Sequence, residues 1–210
     1  ATDTQVKQLW LKRNPLKQDG ARLLANMLSA NSTIVVLDLV NTGLLNGGLQ
    51  ELLRGLHTNS TLRHLYLEGN GINAAGLTNL GDYLSQSRLW SFSIGCNRLG
   101  NEGATIVADA MQHNTSIVRF GMASCGIGAR GAIAIANLIQ ANRTLLHIDI
   151  GFLSMTAPLQ EVPNRIGNEG AEAITEALRV NTTLRSLILL HNGIHQAGVD
   201  SLRSMLCDAP

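Results

Sequence analysis

The sequence predicts an α/β solenoid of seven strand–helix repeats, on the basis of three observations. An apolar pattern recurs at intervals of 27 or 28 residues, with a single interval of 39. Within each copy the apolar residues alternate at first with a period of two and then follow a helical period. An asparagine, in most copies, and a glycine stand at fixed places between these two segments. Self-similarity of this length is typical of proteins that stack one small unit along an axis.

The strand comes first in each repeat. We number every repeat from its first apolar residue, and these residues are Val6, Ile34, Leu62, Leu89, Ile117, Leu145 and Leu184. Positions 4 and 6 are apolar in every copy, and a polar or small residue separates them in most. Such alternation predicts a short strand with one buried face. The repeats run through residues 1–210, so we expect a single domain with its strands in one parallel sheet.

The turn and the helix follow the strand. Position 9 carries Asn14, Thr42, Asn70, Asn97, Cys125, Asn164 and Asn192. A buried amide at this place bonds backbone groups of the turn that have no partner in the sheet. Position 15 is always glycine, which lets the start of the helix lie close to the strand layer because glycine has no Cβ. Beyond it the apolar period is helical, as in Ala171, Ile174 and Leu178.

This arrangement resembles the ribonuclease-inhibitor-like leucine-rich repeats, which are shared by ribonuclease inhibitor, the C-terminal regions of NOD-like receptors, tropomodulin and Ran GTPase-activating proteins. The resemblance covers Val6 to Leu206. It implies a horseshoe with the parallel sheet on the concave face and the helices on the convex face. It also implies that the chain binds a macromolecular partner, although the family contains more than one function.

The sixth repeat exceeds the common period by 11 residues, inserted at about residues 151–163. Two prolines oppose regular structure there, while Phe152, Leu153, Met155, Leu159 and Val162 are apolar enough to pack onto the repeats. Insertions in repeat proteins often supply binding specificity. The alternative is a tolerated bulge on the surface.

Three further features resemble functional motifs, and the repeat explains each of them. Gly126, Gly128 and Gly131 match the dinucleotide-binding pattern G-x-G-x-x-G, but Gly131 is the position-15 glycine found in every copy. Five Asn-x-Ser/Thr sequences begin just past a helix, at Asn31, Asn59, Asn114, Asn142 and Asn181. Their fixed register predicts a left-handed residue that ends the helix, followed by a locally bonded Ser or Thr, rather than a glycan acceptor. Cys125 at the asparagine position predicts a buried structural thiol.

Positions 3, 5 and 7 of the stacked strands face the concave side and predict the binding surface. Small residues in the middle repeats predict a shallow trough, namely Ser91, Ser93, Gly95, Gly121 and Ala123. Larger side chains flank it, and we expect Asp149 to hold the guanidinium of Arg119 in place. The candidate binding residues are His64, Tyr66, Glu68, Ser91, Ser93, Arg119, His147, Asp149 and, bordering the row from the insertion, Phe152. Aromatic and arginine side chains beside a recess suit a protein-binding hot spot, whereas the alternative is that the small residues only permit the strands to curve.

Composition narrows the class of function. The net charge of +1 gives no electrostatic case for binding nucleic acid or an acidic membrane. No apolar run approaches the roughly 20 residues of a membrane helix, and the N-terminus lacks the regions of a signal peptide. The three cysteines show no CxxC spacing, which favours a reducing, cytoplasmic setting. No nucleophile–base pair or metal-ligand spacing is evident, so we expect no enzyme activity and no cofactor.

The sequence therefore predicts a ligand-sensing or scaffolding module that binds a protein partner. Two alternatives stay open, a GTPase-activating factor and a structural spacer in a longer protein. The Ran GTPase activators that resemble this chain add an arginine-bearing loop near an early strand and a long acidic tail, whereas residues 41–46 contain no arginine. Trp10, Ile188 and Leu190 lie in the first and last repeats without a recognisable polar cap. We therefore expect the ends to mediate self-association or to contact neighbouring segments.

Overall fold

A computed structural model of the chain describes residues 4–153 and 162–207. Its seven described strands form one parallel sheet in which neighbours in sequence are neighbours in space. The strands are β1 (Gln8–Trp10), β2 (Val36–Asp38), β3 (His64–Tyr66), β4 (Ser91–Ser93), β5 (Arg119–Gly121), β6 (His147–Asp149) and β7 (Ser186–Ile188). Paired residues share the same repeat position, so Leu37 lies beside Leu65, and Leu65 beside Phe92. The predicted α/β solenoid is confirmed.

A helix follows every strand and covers one face of the sheet. The helices are α1 (Lys17–Ala30), α2 (Leu45–Leu56), α3 (Leu80–Gln86), α4 (Gly100–Met111), α5 (Ala129–Ala141), α6 (Gly167–Val180) and α7 (Gln196–Cys207). A 3₁₀ turn, Ala74–Leu77, precedes α3 in the repeat that is one residue short. None of the described helices is long and apolar enough to cross a membrane.

The core lies between the sheet and the helices. Positions 4 and 6 supply its sheet side, and Leu65, Leu67, Phe92 and Ile94 are all fully buried there. The rings of Phe92 and Phe120 stack with their centroids 6.3 Å apart. The helices supply mostly aliphatic side chains, so the core consists of thin layers that repeat along the molecule.

Position 9 forms a ladder of buried amides between repeats. Asn70 Oδ1 accepts hydrogen bonds from the N–H groups of Thr42 and Leu44 in the preceding repeat, at 3.0 and 3.2 Å. Its Nδ2 donates to Leu39 O at 2.8 Å and to Leu67 O at 3.0 Å. The same pattern recurs at Asn97 and Asn164. These bonds satisfy backbone groups that the short strands leave without partners.

Asn14 and Cys125 are among the members of the ladder that depart from this pattern. Asn14 is exposed, contrary to the prediction of a buried amide, because no described repeat precedes it and covers its side chain. Cys125 is buried as predicted, and its Sγ donates to Ile94 O at 3.4 Å. Burial raises the pKa of Cys125 to about 12, so the thiol stays protonated and structural at neutral pH.

The Asn-x-Ser/Thr sequences form a second ladder where the helices end. The residues that follow α1, α5 and α6 have φ of −89°, −78° and −90°, so the predicted left-handed conformation is wrong. Asn142 Oδ1 accepts from the N–H groups of Thr144 and Leu145, at 2.7 and 2.8 Å. Its Nδ2 donates to Met111 O and Asn114 O in the preceding repeat, both at 2.9 Å. The extended backbone lets one amide bond forward and backward at once, which supports a structural role for these asparagines.

The position-15 glycines lie where each helix meets its turn. A Cβ on Gly103 would stand 2.6 Å from Leu99 Cβ in its own turn and 3.3 Å from Leu77 Cδ1 in the preceding repeat. Leu99 packs into the core below the strand layer. The missing Cβ therefore brings the helix close to its own turn and to the preceding repeat.

The described parts of the insertion are residues 151–153 and 162–163. Met155 and Leu159, which we expected to pack onto the repeats, lie outside the described residues. The Leu153 N–H donates to the Ser124 hydroxyl at 3.1 Å. Val162 O accepts from an N–H of the fifth repeat at 2.8 Å. Both described ends of the insertion are thus hydrogen-bonded to the fifth repeat.

Candidate protein-binding surface

The candidate residues stand in two rows across the middle of the sheet. Strand register places His64, Ser91, Arg119 and His147 side by side at position 3. It places Tyr66, Ser93, Gly121 and Asp149 side by side at position 5. Successive side chains on a strand point to opposite faces, so both rows lie opposite the buried positions 4 and 6. The rows therefore share the face of the sheet that the helices leave uncovered.

A cavity of about 300 Å³ opens on this face, and we call it the trough. Seven of the nine candidate residues line it, namely Tyr66, Glu68, Ser91, Ser93, Arg119, His147 and Asp149. Gly121 also lines it, and a Cβ there would stand 2.8 Å from Ser93 Oγ, so the absence of a side chain keeps the cavity open. Ser186 and Ile188 extend the lining into β7. These two were not among the predicted residues, although their positions 3 and 5 in the next repeat are a signal that could have identified them.

The insertion occupies part of the space predicted for the trough. Leu153 Cδ1 lies 3.5 Å from the point where a Cβ of Gly95 would stand. Gly95 and Ala123 are buried at position 7, and neither lines the trough, contrary to prediction. The missing side chain of Gly95 leaves room for the insertion, so the trough in these two repeats is confined to positions 3 and 5.

His64 faces a neighbouring recess rather than the trough. This recess has a volume of about 480 Å³, and Trp90, Ser91 and Arg119 help to line it. The rings of His64 and Trp90 meet edge to face with centroids 6.0 Å apart, and the Arg63 guanidinium lies 6.0 Å from the centroid of the Trp90 ring. Burial lowers the pKa of His64, which favours the neutral ring. Ser91 and Arg119 line both spaces, so the recess and the trough adjoin.

Phe152 lies in a third recess and not in the trough. This recess, of about 470 Å³, is also lined by Arg165, His191 and His195. The Phe152 and His191 rings meet edge to face with centroids 5.5 Å apart. Because Phe152 packs on His191 of the seventh repeat, it does not border the row of position-3 side chains as we expected.

Arg119 is exposed, and Asp149 does not hold it as predicted. None of the ion pairs among the described residues includes Arg119. Asp149 Oδ1 instead accepts a hydrogen bond from the Gly151 N–H at 2.9 Å, at the end of its own strand. The two side chains stand at positions 3 and 5 of adjacent strands, and the nearer backbone donor is preferred. The guanidinium thus remains available to a carboxylate outside the chain.

Glu68 is the trough residue whose charged form burial destabilises. Its Oε2 is buried and has no hydrogen-bond partner among the described residues. Burial raises the pKa of Glu68, hydrogen bonds from Ser93 and from its own backbone oppose the rise, and the nearby Asp38 carboxylate adds to it. A hydrogen-bond donor or a cation placed in the trough would stabilise this carboxylate.

The fold itself uses the glycine motif of the fifth repeat. The N–H groups of Gly128 and Gly131, which a bound phosphate would need, donate to Asn101 Oδ1 at 2.8 and 3.0 Å. No group of three or more His, Cys, Asp or Glu side chains in residues 4–153 and 162–207 could hold a metal ion. The trough therefore offers groups suited to contacts with another molecule, namely an aromatic ring, a guanidinium, an imidazole and two carboxylates.

Comparison with known proteins agrees with this architecture. The family model described as leucine-rich repeat matches residues 58–81, 113–136 and 180–202. The chain is 28% identical over 208 residues to NACHT, LRR and PYD domains-containing protein 12 of Mus musculus, covering 96% of this chain and 18% of the relative. It is 27% identical over 206 residues to the ribonuclease inhibitor of Sus scrofa, covering 96% of this chain and 43% of the relative. The chain thus spans less than half the length of either relative.

Among solved structures, that of leiomodin-1 actin-binding site 2 superimposes with a TM-score of 0.51 at 20% identity, over 61% of this chain and 69% of that chain. At this identity the likeness supports the fold alone. The chain is a leucine-rich repeat solenoid, a class defined by stacked strand–helix units with one uncovered sheet face. In its period, its asparagine ladder and its relatives, the chain is similar to ribonuclease-inhibitor-like repeats.

Proposed function

We propose that the chain is a protein-interaction module, the ligand-sensing or scaffolding part of a cytoplasmic protein, and that its partner binds in the trough. The observation that carries this proposal is the convergence of seven candidate residues on one cavity of about 300 Å³ on the uncovered sheet face. If the small residues served only to let the strands curve, aromatic and charged side chains would not be required around them. Such side chains flank the trough on both sides.

The side chains that line the trough determine which partner surface can bind there. Tyr66 offers a rigid ring with a polar tip, which contributes contact area at a low entropic cost. Arg119 offers a guanidinium to a carboxylate of the partner, and Glu68 favours a donor or a cation. A partner surface that presents both an acidic and a basic side chain matches this mixture. Mixed charge and a net charge of +1 favour a protein over a nucleic acid.

The relatives support binding as the function, without an enzymatic step. The Sus scrofa relative is named for the inhibition of ribonucleases, and this chain covers 43% of it. Because the relatives are longer than this chain, we carry over only the capacity to bind a protein. A ribonuclease is a reasonable first partner to test, alongside proteins captured from lysate.

Substitutions in the trough test the proposal. Tyr66→Ala and Arg119→Ala should each weaken binding by about 1–2 kcal/mol or more, because such residues commonly carry much of an interface's energy. Neither change should move the urea midpoint by much, because both side chains lie outside the core. The partner is first identified by affinity capture and mass spectrometry, and titration calorimetry with the purified partner then gives the dissociation constants.

Glu176→Ala and Arg179→Ala are matched controls on the convex face. The two exposed side chains pair with each other at 3.2 Å on α6. Their removal should leave the dissociation constant unchanged. If these variants abolish binding while the trough variants bind normally, the partner contacts the helices and the proposal is wrong.

One observation favours the alternative of a GTPase-activating factor. Arg13 lies beside residues 41–46 in a recess of about 960 Å³, at the loops that follow β1 and β2. The recess therefore places an arginine next to an early loop that has none of its own. Measuring GTP hydrolysis by purified GTPases, with and without the chain, separates the two functions. Faster hydrolysis that Arg13→Ala abolishes would replace our proposal, and unchanged hydrolysis supports it.

A further inference from the structure

We propose that this chain associates head to tail with a second copy, the last repeat of one copy docking against the first repeat of the next. The C-terminal face is the outer side of β7 and α7, and the N-terminal face is the outer side of β1 and α1. The sheet contains six internal junctions between successive repeats. These junctions show what such a contact requires, and both outer faces retain the requirements.

The C-terminal face keeps apolar residues at positions that other repeats bury against a following helix. Position 16 is fully buried in every earlier repeat, at Ala21, Leu49, Leu77, Ala104, Ala132 and Ala171. The corresponding residue of α7 is Val199, which is 48% exposed. Leu206 is 70% exposed at position 23, whereas Leu28, Leu84 and Met111 are fully buried there. A terminal repeat that acted as a cap would carry polar residues at these two positions.

At five of the six internal junctions, position 16 has a defined partner, the position-15 glycine of the next repeat. Leu77 Cδ1, for example, lies 3.3 Å from the place where a Cβ of Gly103 would stand. On the N-terminal face, Gly20 occupies position 15, and no described repeat precedes it. Val199 of one copy therefore fits against Gly20 of the next, in the way that Leu77 fits against Gly103.

The asparagine ladder gives the junction a direction. The Oδ1 atoms of Asn70, Asn97 and Asn164 each accept from the position-9 and position-11 N–H groups of the preceding repeat. Asn14 holds the same pose, since its Nδ2 donates to Leu11 O, the position-6 carbonyl of its own repeat, at 3.1 Å. Asn97 Nδ2 makes the equivalent bond to Ile94 O at 2.9 Å. The Asn14 oxygen is thus oriented for donors that the described chain does not place before it.

Those donors are present at the other end of the molecule. The N–H groups of Asn192 and Ile194 are at positions 9 and 11 of the last described repeat, and no asparagine follows them there. Docking in the register of the internal junctions brings both groups to Asn14 Oδ1. The same register pairs β7 with β1 and sets Ile188, 39% exposed, beside Trp10, 55% exposed. One contact covers both apolar surfaces and both sheet edges that the described residues leave unpaired.

Arg203 distinguishes this junction from the internal ones. It stands at position 20, where Ala25, Ala108 and Thr175 are small and buried. Position 20 faces positions 22 and 18 of the next helix, as the site of a Cβ on Gly81 lies 3.7 Å from Ala110 Cβ and 3.9 Å from Ile106 Cγ2. In the docked pair Arg203 lies against Leu23, which is 68% exposed. An arginine stem can cover such a side chain while its guanidinium stays in water, so the contact forms but is weaker than an internal junction.

Sedimentation velocity on the 210-residue chain tests the association, from about 1 μM to about 1 mM. We expect the average mass to rise with concentration beyond a dimer, because a head-to-tail contact that does not close leaves a free face at each end. Val199→Glu charges the C-terminal face, and Leu23→Arg sets a like charge against Arg203. Each should raise the concentration needed for association by about tenfold or more.

Three further samples make the test specific. Ile133→Glu alters an apolar side chain that is 37% exposed on α5, away from both ends, and should associate as the parent chain does. Arg203→Ala restores the side chain found at internal junctions and should strengthen association. An equal mixture of Val199→Glu and Leu23→Arg retains one intact face of each kind, so it should form dimers that grow no further. A monomer at every concentration, or association that survives both substitutions, overturns the proposal, as does a mixture that stays monomeric. Circular dichroism of every variant confirms that it is folded.

Discussion

Asparagine amides at position 9 and at the helix ends bond the backbone of two successive repeats. At position 9 the amide of Asn70 joins two turns, and at the helix end the amide of Asn142 joins two helix termini. The short strands and the ends of the helices leave backbone donors and acceptors that need these partners. The side chains therefore hold the stack together by hydrogen bonds in addition to the apolar layers.

Asn70→Ala should lower the free energy of unfolding by about 1–3 kcal/mol, because it leaves buried backbone groups without partners. Among those groups are the N–H groups of Thr42 and Leu44, which now donate to the Asn70 oxygen. Urea unfolding at low protein concentration measures the change. Asn14→Ala is the matched control, and it should shift stability by no more than about 0.5 kcal/mol because Asn14 is exposed. An unchanged midpoint for Asn70→Ala would contradict a stabilising role for the ladder.

At the scale of the elements, the spacing between helices depends on where glycine lies. A Cβ on Gly55 in α2 would stand 2.5 Å from the Cα of Ala25 in α1. Gly55→Ala should therefore destabilise the chain by about 1–3 kcal/mol, because the overlap with backbone outweighs the gain in helix propensity. Thermal or urea unfolding of the variant measures the loss.

Gly81→Ala in α3 is the matched comparison for this prediction. A Cβ there would meet Ala110 Cβ at 3.7 Å, an ordinary contact. This variant should be neutral or gain up to about 1 kcal/mol, because alanine loses less backbone entropy than glycine in a helix. Equal effects of the two substitutions would show that close helix approach does not set the cost at Gly55.

The order and frame of the elements could be predicted because each repeat presents the same apolar positions, and only one strand register buries them all. The backbone conformation of the residue after each helix could not be predicted. Asparagine supports both a left-handed and an extended residue, and the choice at Asn142 is made by its bond to Met111 O, 31 residues earlier in the chain. A contact of that kind has no local signal in the sequence.

For the whole molecule, the site was predictable to the extent that it follows the repeat. The rows containing Tyr66 and Arg119 follow directly from the register of the strands. Leu153 over Gly95 and Phe152 on His191 belong to the insertion, which has no register that could place them. The pairing of Arg119 with Asp149 was wrong because charge alone cannot reveal a closer backbone donor. Irregular segments and local hydrogen bonds therefore mark where the sequence stops being informative.

Stability should be distributed along the solenoid by the number of neighbours that each repeat has. Position 4 carries leucine at both ends and within the stack, yet Leu37 and Leu65 are fully buried while Leu9 and Leu187 are only partly so. The difference arises from the missing neighbour and not from the side chain. Amide hydrogen exchange at low concentration should therefore be slowest in the central strands and fastest in β1 and β7, because terminal repeats open at a lower free energy.

Raising the protein concentration extends this prediction to the association of two copies. Head-to-tail docking gives each terminal repeat its missing neighbour, so protection should increase in β1 and β7 together while the central strands change little. Leu23→Arg should remove the increase at both ends at once, although it alters only the N-terminal face, because one contact covers both. Terminal strands that are as protected as the central ones at low concentration would contradict the neighbour argument. An increase confined to one end would show that identical faces, not opposite ones, meet.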